Sequence, residues 1–170
     1  MRSAANTVIC IVLLVGVVLV FWSVSAQTRP SLNELLTKAQ AEELLTKAQA
    51  EELLTKAQAG GAEAQFNLGN MYRIGEGVPK NAVEAVKWFT RAAEQGDTSA
   101  QNNLGSMYFQ GVGIPKDFVL AYKWINLAAA SGTGSGVARR DFIEKQMTPG
   151  QIAEAQRLSS AFIPKPEVQP

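Results

Sequence analysis

The stretch that decides the fold is AEAQFNLGNMYRIGEGVPKNAVEAVKWFTRAAEQGD at residues 62–97, followed without a gap by TSAQNNLGSMYFQGVGIPKDFVLAYKWINLAAASGT at residues 98–133. When these two 36-residue segments are laid over each other, 18 of the 36 positions are identical. Self-similarity at a period of roughly 20 to 50 residues is typical of proteins that stack one supersecondary unit several times. The sequence therefore predicts a repeat protein.

The glycines and prolines of each unit lie where a helical hairpin is expected to have them. Ala64, Leu68 and Tyr72 recur every four residues without an intervening proline, which predicts a helix of about three turns. A Gly-x-Gly-x-Pro sequence then ends it. Pro79 and its equivalent Pro115 suit the first turn of a second helix, where a missing N–H costs nothing. Gly96 and Gly132 suit the C-terminal cap of that helix.

The positions that both copies share predict the core. Glycine inside a helix costs roughly 1 kcal/mol against alanine, so Gly69 and Gly105 indicate that another helix backbone approaches closely. Small residues such as Ala85 and Ala92 are expected to face them. The predicted core residues are Leu68, Gly69, Tyr72 and Trp88 in the first unit and Leu104, Gly105, Tyr108 and Trp124 in the second.

The shared pattern carries a family resemblance. It reads A-x-x-x-L-G-x-x-Y-x-x-G-x-G-V/I-P-K, then A-x-K-W, A-A and Gly, and it resembles the Sel-one-like repeat (SLR), a relative of the tetratricopeptide repeat. The resemblance covers residues 62–133 in both copies. It implies an all-α fold, a right-handed α/α solenoid of antiparallel helical hairpins, and a scaffold role.

The flanking segments complete the predicted organisation. Residues 27–59 are a linker and a long helix whose end serves as a partial repeat. Residues 60–97 and 98–133 are the two full repeats, and 134–162 form a C-terminal capping pair of helices, which a stack of this kind needs to close its core. Thr148-Pro-Gly-Gln151 supplies the N-cap of the second capping helix. Residues 163–170, rich in proline, are predicted to be a disordered tail.

Residues 1–26 are predicted to be a signal peptide: one Arg at position 2, an apolar run from Val8 to Trp22, and small residues at a cleavage-like end. The alternative is an uncleaved anchor over residues 8–24, which lies at the short edge of what spans a bilayer. Export to the periplasm or the exterior is expected, or attachment to the inner membrane if the segment remains. Only in that second case is the membrane a partner.

Residues 31–59 contain ELLTKAQAE in tandem, starting at Glu34, Glu43 and Glu52. Each copy places Glu four residues before Lys, the favourable order for a helical ion pair. A nine-residue period turns each copy about 180° from the last, so Leu44 and Leu45 point away from the face that Leu54 and Ala57 present to the first hairpin. Two interpretations stay open: copy-number expansion in a tolerated helix, or a self-association stripe through Leu44 and Leu45.

Composition excludes several kinds of chemistry. The chain has no His, one Cys and a net charge of +1, so the usual proton shuttles and soft metal ligands are missing, and no basic face predicts a nucleic-acid partner. The Gly75–Lys80 turn lacks the Gly-Lys-Ser/Thr ending of a phosphate loop. We therefore predict no catalytic residues, no metal and no cofactor.

A comparison of the two copies predicts where a partner binds. On the first helix the identical positions fill one arc, and the differing positions fill the remaining arc. Identical positions are interpreted as the stacking face, and differing positions as a face released from stacking. The predicted partner-binding residues are Phe66, Asn70, Arg73, Asn102, Ser106 and Phe109. The alternative is that the differing face is a solvated surface whose sequence has drifted between the copies.

Two function classes follow. The favoured one is a non-enzymatic scaffold of the bacterial cell envelope that holds a protein or peptide on the concave face of the stack. The first alternative is a β-lactam-active envelope hydrolase, because Cys-rich relatives in the SLR family are associated with that activity, although the paired cysteines are absent here. The second is a membrane-anchored assembly factor, which depends on the fate of residues 1–26.

Overall fold

A computed structural model describes residues 31–130 and 134–166, which form helices and no strand. The helices are α1 (Leu32–Gln58), α2 (Ala62–Ile74), α3 (Ala82–Glu94), α4 (Thr98–Gln110), α5 (Phe118–Ala129), α6 (Gly134–Glu144) and α7 (Pro149–Ser160). Helices α2 and α3 are the hairpin of repeat 1, and α4 and α5 are that of repeat 2. The prediction of an all-α solenoid of helical hairpins is confirmed.

The chain divides into two compact units, Met1–Glu42 and Glu43–Pro170. In the first unit the described residues are the start of α1, which opens with a capping box. The Ser31 N–H donates to the Glu34 carboxylate at 2.8 Å, and the Glu34 N–H donates to the Ser31 hydroxyl at 3.2 Å. The predicted signal segment, residues 1–26, lies outside the described residues.

Ion pairs within α1 follow the nine-residue period only in part. Lys47 pairs with Glu43 at 2.8 Å and Lys56 with Glu52 at 2.7 Å, as predicted. In the first copy Lys38 lies instead 4.0 Å from Glu42, because the carboxylate of Glu34 is engaged by the capping box.

Both hairpins turn in the same way. The first helix of each ends at a glycine in the left-handed region, Gly75 at φ +85° and Gly111 at φ +73°. The second helix begins behind an Asn or Asp cap: Asn81 accepts from the Val83 and Glu84 N–H groups, and Asp117 from the Leu120 N–H. Both prolines therefore precede these caps, and the prediction that they lie in the first helical turn is wrong.

The end of α1 packs as the second helix of a preceding unit. The Gln65 side chain donates to the Ala57 carbonyl at 3.0 Å, just as Gln101 donates to the Ala93 carbonyl at 3.2 Å. A Cβ on Gly77 would lie 2.4 Å from the Thr46 carbonyl, and one on Gly113 lies 2.4 Å from that of Ala82. In both comparisons the residues of one contact are related to those of the other by a shift of 36 residues, the length of one repeat. Residues 46–58 are thus a half repeat that closes the N-terminal side of repeat 1.

The core runs through both hairpins and the half repeat. Trp88 is buried with Ala57 and Leu68, and Trp124 is buried in the next cluster with Leu104. The remaining predicted core residues are Gly69 and Gly105, which are buried, and Tyr72 and Tyr108, which are half-buried.

Both core glycines admit the close approach of a large side chain. The predicted approach of another helix backbone is found at Gly105, where an added Cβ would lie 3.0 Å from the Ala121 carbonyl oxygen. A Cβ on Gly69 would lie 2.7 Å from the Phe89 ring, and one on Gly105 would lie 2.7 Å from Ile125. The predicted partners, Ala85 and Ala92, are buried in the same cluster as Phe89. The glycines are therefore required by the residue at position 89 or 125, which the comparison of the two copies did not single out.

The C-terminal pair α6 and α7 covers the end of repeat 2. Ile143 of α6 and Ala155 of α7 are buried with Ala121, Tyr122 and Ile125 of α5. The predicted cap of α7 is confirmed, since Thr148 and Gln151 form a capping box.

The segment after α7 differs from the prediction of a disordered tail over its described part, residues 163–166. The Lys165 N–H donates to the Glu94 carbonyl at 2.8 Å, and the Lys165 ammonium lies 2.6 Å from the Glu94 carboxylate. Phe162 packs edge-on against Trp124, with 5.6 Å between ring centroids. Burial beside these rings lowers the pKa of Lys123, and Glu94 acts in the opposite direction. An aromatic anchor and a backbone hydrogen bond thus hold a segment whose composition alone favours disorder.

Candidate partner-binding site

Two grooves lie against the first helices of the two repeats, and only the walls formed by these helices and the turns after them are equivalent. Groove 1, of about 380 Å³, is lined on the α2 side by Asn67, Asn70, Met71, Ile74 and Glu76, and on the α1 side by Gln49, Glu52, Leu53 and Lys56. Groove 2, of about 350 Å³, is lined by Asn103, Ser106, Met107, Gln110 and Val112, and by Arg73, Lys80 and Ala82 of repeat 1. The five residues first named for each groove correspond one to one at a spacing of 36.

Groove 1 is mixed in character. Its apolar residues are Leu53, Met71 and Ile74, and Ile74 is about half exposed. Glu52 and Lys56 neutralise each other across 2.7 Å at its edge, which leaves Glu76 as the unpaired charge in its lining. A groove of this composition favours binding of an apolar side chain over a charged one.

Groove 2 is cationic. Arg73 and Lys80 are exposed, and no carboxylate is found among the described residues that line the groove. The Arg73 guanidinium donates to the Asn70 amide oxygen from Nε and Nη2, at 3.3 and 3.1 Å. A third cation adjoins the groove, because the Arg139 guanidinium of α6 donates to the Ser106 hydroxyl at 3.3 Å.

The six residues predicted to bind a partner are divided by the structure into two groups. Those of repeat 2 contact α6: Arg139 donates to Asn102 and Ser106, and Phe109 lies between the rings of Phe118 and Phe142, 5.7 Å from each. These three differing positions of α4 therefore pack against α6. The premise that differing positions are released from stacking is wrong for them, whereas Gln110, which also differs between the copies, is exposed.

Of the three residues in repeat 1, Arg73 is exposed and Asn70 is half-buried. Phe66 is half-buried, with its ring 5.9 Å from that of Phe89. Asn70 lines groove 1, and Arg73 lines groove 2. The partner-binding role of all six stays a prediction, and Asn70, Arg73 and Ser106 are the ones that the grooves include.

Sequence reasoning missed several groove residues. Asn67 and Asn103 are identical in the two copies and were therefore assigned to stacking, yet both line grooves. Lys80 is likewise identical to Lys116. The sequence does distinguish the surroundings of the two lysines. Lys116 lies over the rings of Phe109 and Phe118, whereas the residues of repeat 1 equivalent to these two are Arg73 and Ala82.

The parts of the chain that the structure describes contain no group of three or more His, Cys, Asp or Glu side chains placed to hold a metal ion. Over residues 31–130 and 134–166, no helix has both the length and the apolar composition that a membrane crossing needs. Both statements concern only those residues.

Comparison with known proteins bears on the hairpins directly. Residues 62–97 and 98–133 each match the Sel1 repeat. Over these residues the two hairpins are similar to Sel1 repeats. Proteins built from Sel1 repeats generally act as protein-interaction scaffolds and are typically non-catalytic.

Two solved structures resemble the chain. A protective antigen present in uropathogenic Escherichia coli strains, which displays an SLR fold, is 37% identical with a TM-score of 0.66, over 69% of this chain and 25% of the other. A Sel1 repeat protein from Oxalobacter formigenes is 32% identical with a TM-score of 0.57, over 63% of this chain and 49% of the other. The chain thus spans a quarter of the length of the first protein and about half of the second. No curated protein matches it.

Proposed function

We propose that this chain is a non-enzymatic scaffold of the bacterial cell envelope that holds a segment of a partner protein in grooves 1 and 2. The observation that carries the proposal is the pair of grooves one repeat apart, each combining an apolar floor with side-chain amides. An amide side chain both donates and accepts hydrogen bonds, and so it suits the backbone of a bound segment. The general role of Sel1 repeats supports the same function.

Site-specific photocrosslinking in cells tests the binding surface. A photoreactive amino acid at Asn70 or at Gln110 places the probe in groove 1 or groove 2. The control carries it at Lys87, an exposed position of α3 that lines neither groove. We expect the same crosslinked partner from both groove positions and none from Lys87. Equal crosslinking from Lys87 contradicts the assignment.

The envelope location is supported by the apolar run and the cleavage-like end of residues 1–26. Mass spectrometry of the mature protein tests it: a chain that begins at Gln27 supports export with cleavage, and a chain that keeps Met1 in the membrane fraction supports the anchored form. A chain that keeps Met1 in the cytosolic fraction contradicts both. Turnover of a chromogenic β-lactam by the purified protein would contradict the non-enzymatic assignment.

A further inference from the structure

The cations in the described residues have two kinds of partner, carboxylates and aromatic rings, and a small group has neither. Of the fourteen Lys and Arg side chains in the described residues, seven pair with carboxylates. Three lie over aromatic rings: Arg91 over Trp88, Lys116 over Phe109 and Phe118, and Lys123 over Trp124 and Phe162. The remaining four are Arg73, Lys80, Arg139 and Lys145.

Three of these four converge on groove 2. Arg73 and Lys80 line it, and Arg139 donates to Ser106, which also lines it. Among the described residues, none of the three has a carboxylate within ion-pair distance. Since the net charge of the whole chain is only +1, this concentration is local and does not reflect a basic protein.

The equivalent site of repeat 2 shows why Lys80 has neither a carboxylate nor an aromatic ring as its partner. Lys116 lies 5.3 Å from the Phe109 ring centroid and 4.6 Å from that of Phe118. In repeat 1 these two positions are Arg73 and Ala82, so Lys80 has no equivalent ring to cover, and Arg73 lines the same groove as Lys80. Two substitutions between the copies therefore replace a cation–π contact by a pair of unneutralised charges.

We propose that groove 2 binds an acidic segment of a partner protein, one that carries Asp or Glu side chains or a terminal carboxylate. Guanidinium groups bind carboxylates through two parallel hydrogen bonds. The amides of Asn103 and Gln110 line the same groove and can engage the peptide backbone, and Ala82, Met107 and Val112 give it an apolar part. Charge complementarity selects the acidic segment, and the amides with the apolar part favour a peptide over a nucleic acid. The inference rests on the proposed function, because it names the chemistry of the segment that the scaffold holds.

The test uses the purified full chain and a ten-residue peptide of alternating Glu and Ala. Amide shifts in two-dimensional NMR report binding, titrated to millimolar peptide at low and at physiological salt. We expect shifts that centre on groove 2, at Asn103, Ser106 and Gln110, and an affinity that falls as salt rises. The matching Gln and Ala peptide should bind at least tenfold more weakly.

Charge reversal makes the test specific. Arg73→Glu with Lys80→Glu should weaken binding of the acidic peptide at least tenfold and should create binding of a Lys and Ala peptide, which a merely structural effect cannot do. Lys145→Glu is the control, because this lysine is exposed and does not line the groove. Both variants should retain the far-ultraviolet circular dichroism of the parent.

Three outcomes would overturn the inference: no binding of the acidic peptide, equal binding of the uncharged peptide, or a stronger shift of the groove 2 amides by a single-stranded oligonucleotide. The crosslinking experiment above remains independent of them. If a protein partner crosslinks at Gln110 but the acidic peptide fails, the scaffold function stands and the acidic segment is wrong. If neither is seen, both proposals fall.

Discussion

Repeats 1 and 2 form the same hairpin, but their first helices present different surfaces. At position 109 repeat 2 has a phenylalanine that packs between Phe118 and Phe142, whereas repeat 1 has Arg73, which is exposed beside groove 2. The shared positions fix the fold of both. A position that differs between copies can therefore serve packing in one copy and recognition in the other, and only its neighbours decide which.

The first prediction, with the largest change in stability, tests whether the two hairpins depend equally on the core positions that they share. Trp88→Ala and Trp124→Ala each remove a buried indole from a core cluster, and each should lower the free energy of unfolding by about 3 to 5 kcal/mol. Chemical denaturation of the two variants measures this. If one variant loses less than about 1 kcal/mol, the two hairpins do not depend equally on their shared core positions.

The next effect tests the half repeat. Gly77→Ala and Gly113→Ala would each drive a Cβ against a backbone carbonyl of the preceding helix, in a left-handed conformation. Each should lower the free energy of unfolding by about 1 to 3 kcal/mol. Gly150→Ala is the control, because nothing lies within 4 Å of its added Cβ. If Gly77→Ala is as harmless as the control, the end of α1 does not pack as a second helix.

A smaller effect separates position 73 from position 109. Phe109→Ala removes a half-buried ring with two aromatic neighbours and should lower the free energy of unfolding by about 2 kcal/mol. Arg73→Ala should stay within about 0.5 kcal/mol of the parent, because its side chain is exposed. Thermal unfolding of the pair distinguishes them, and equal losses would show that Arg73 also serves packing.

The smallest effect concerns the leucines of α1. Leu44 and Leu45 are 67% and 59% exposed, so Leu44→Glu with Leu45→Glu should leave the free energy of unfolding within about 0.5 kcal/mol. Light scattering then decides between the two open interpretations. A parent of higher mass than the variant supports self-association through these residues, and identical masses with unchanged partner capture favour copy-number expansion in a tolerated helix.

The fold could be predicted because its rules are local and repeated. The glycines that end α2 and α4, the caps of α1 and α7 and the 36-residue period all act over a few residues, and the sequence displays each of them. The prolines were misplaced because Asn81 and Asp117, two residues later, accept the first free N–H groups of the second helices.

The candidate site could be predicted only in part, because it depends on contacts between distant residues. Nothing local to Phe109 shows that Phe142 of α6 covers it. Nothing local to Lys80 shows that it faces Asn103 across a groove. Comparing the copies identified Arg73, Asn70 and Ser106 because they differ, and it missed Asn67, Asn103 and Lys80 because they do not.

Making repeat 1 resemble repeat 2 at one position tests the central claim most directly. Arg73→Phe gives the first copy the residue of the second, and the measurement is photocrosslinking of the partner from Gln110 in this variant and in the parent. We expect loss of the crosslink with an unchanged unfolding midpoint, because the positions that both copies share stabilise the fold and the differing residue binds the partner. An undiminished crosslink in a folded Arg73→Phe protein would contradict it.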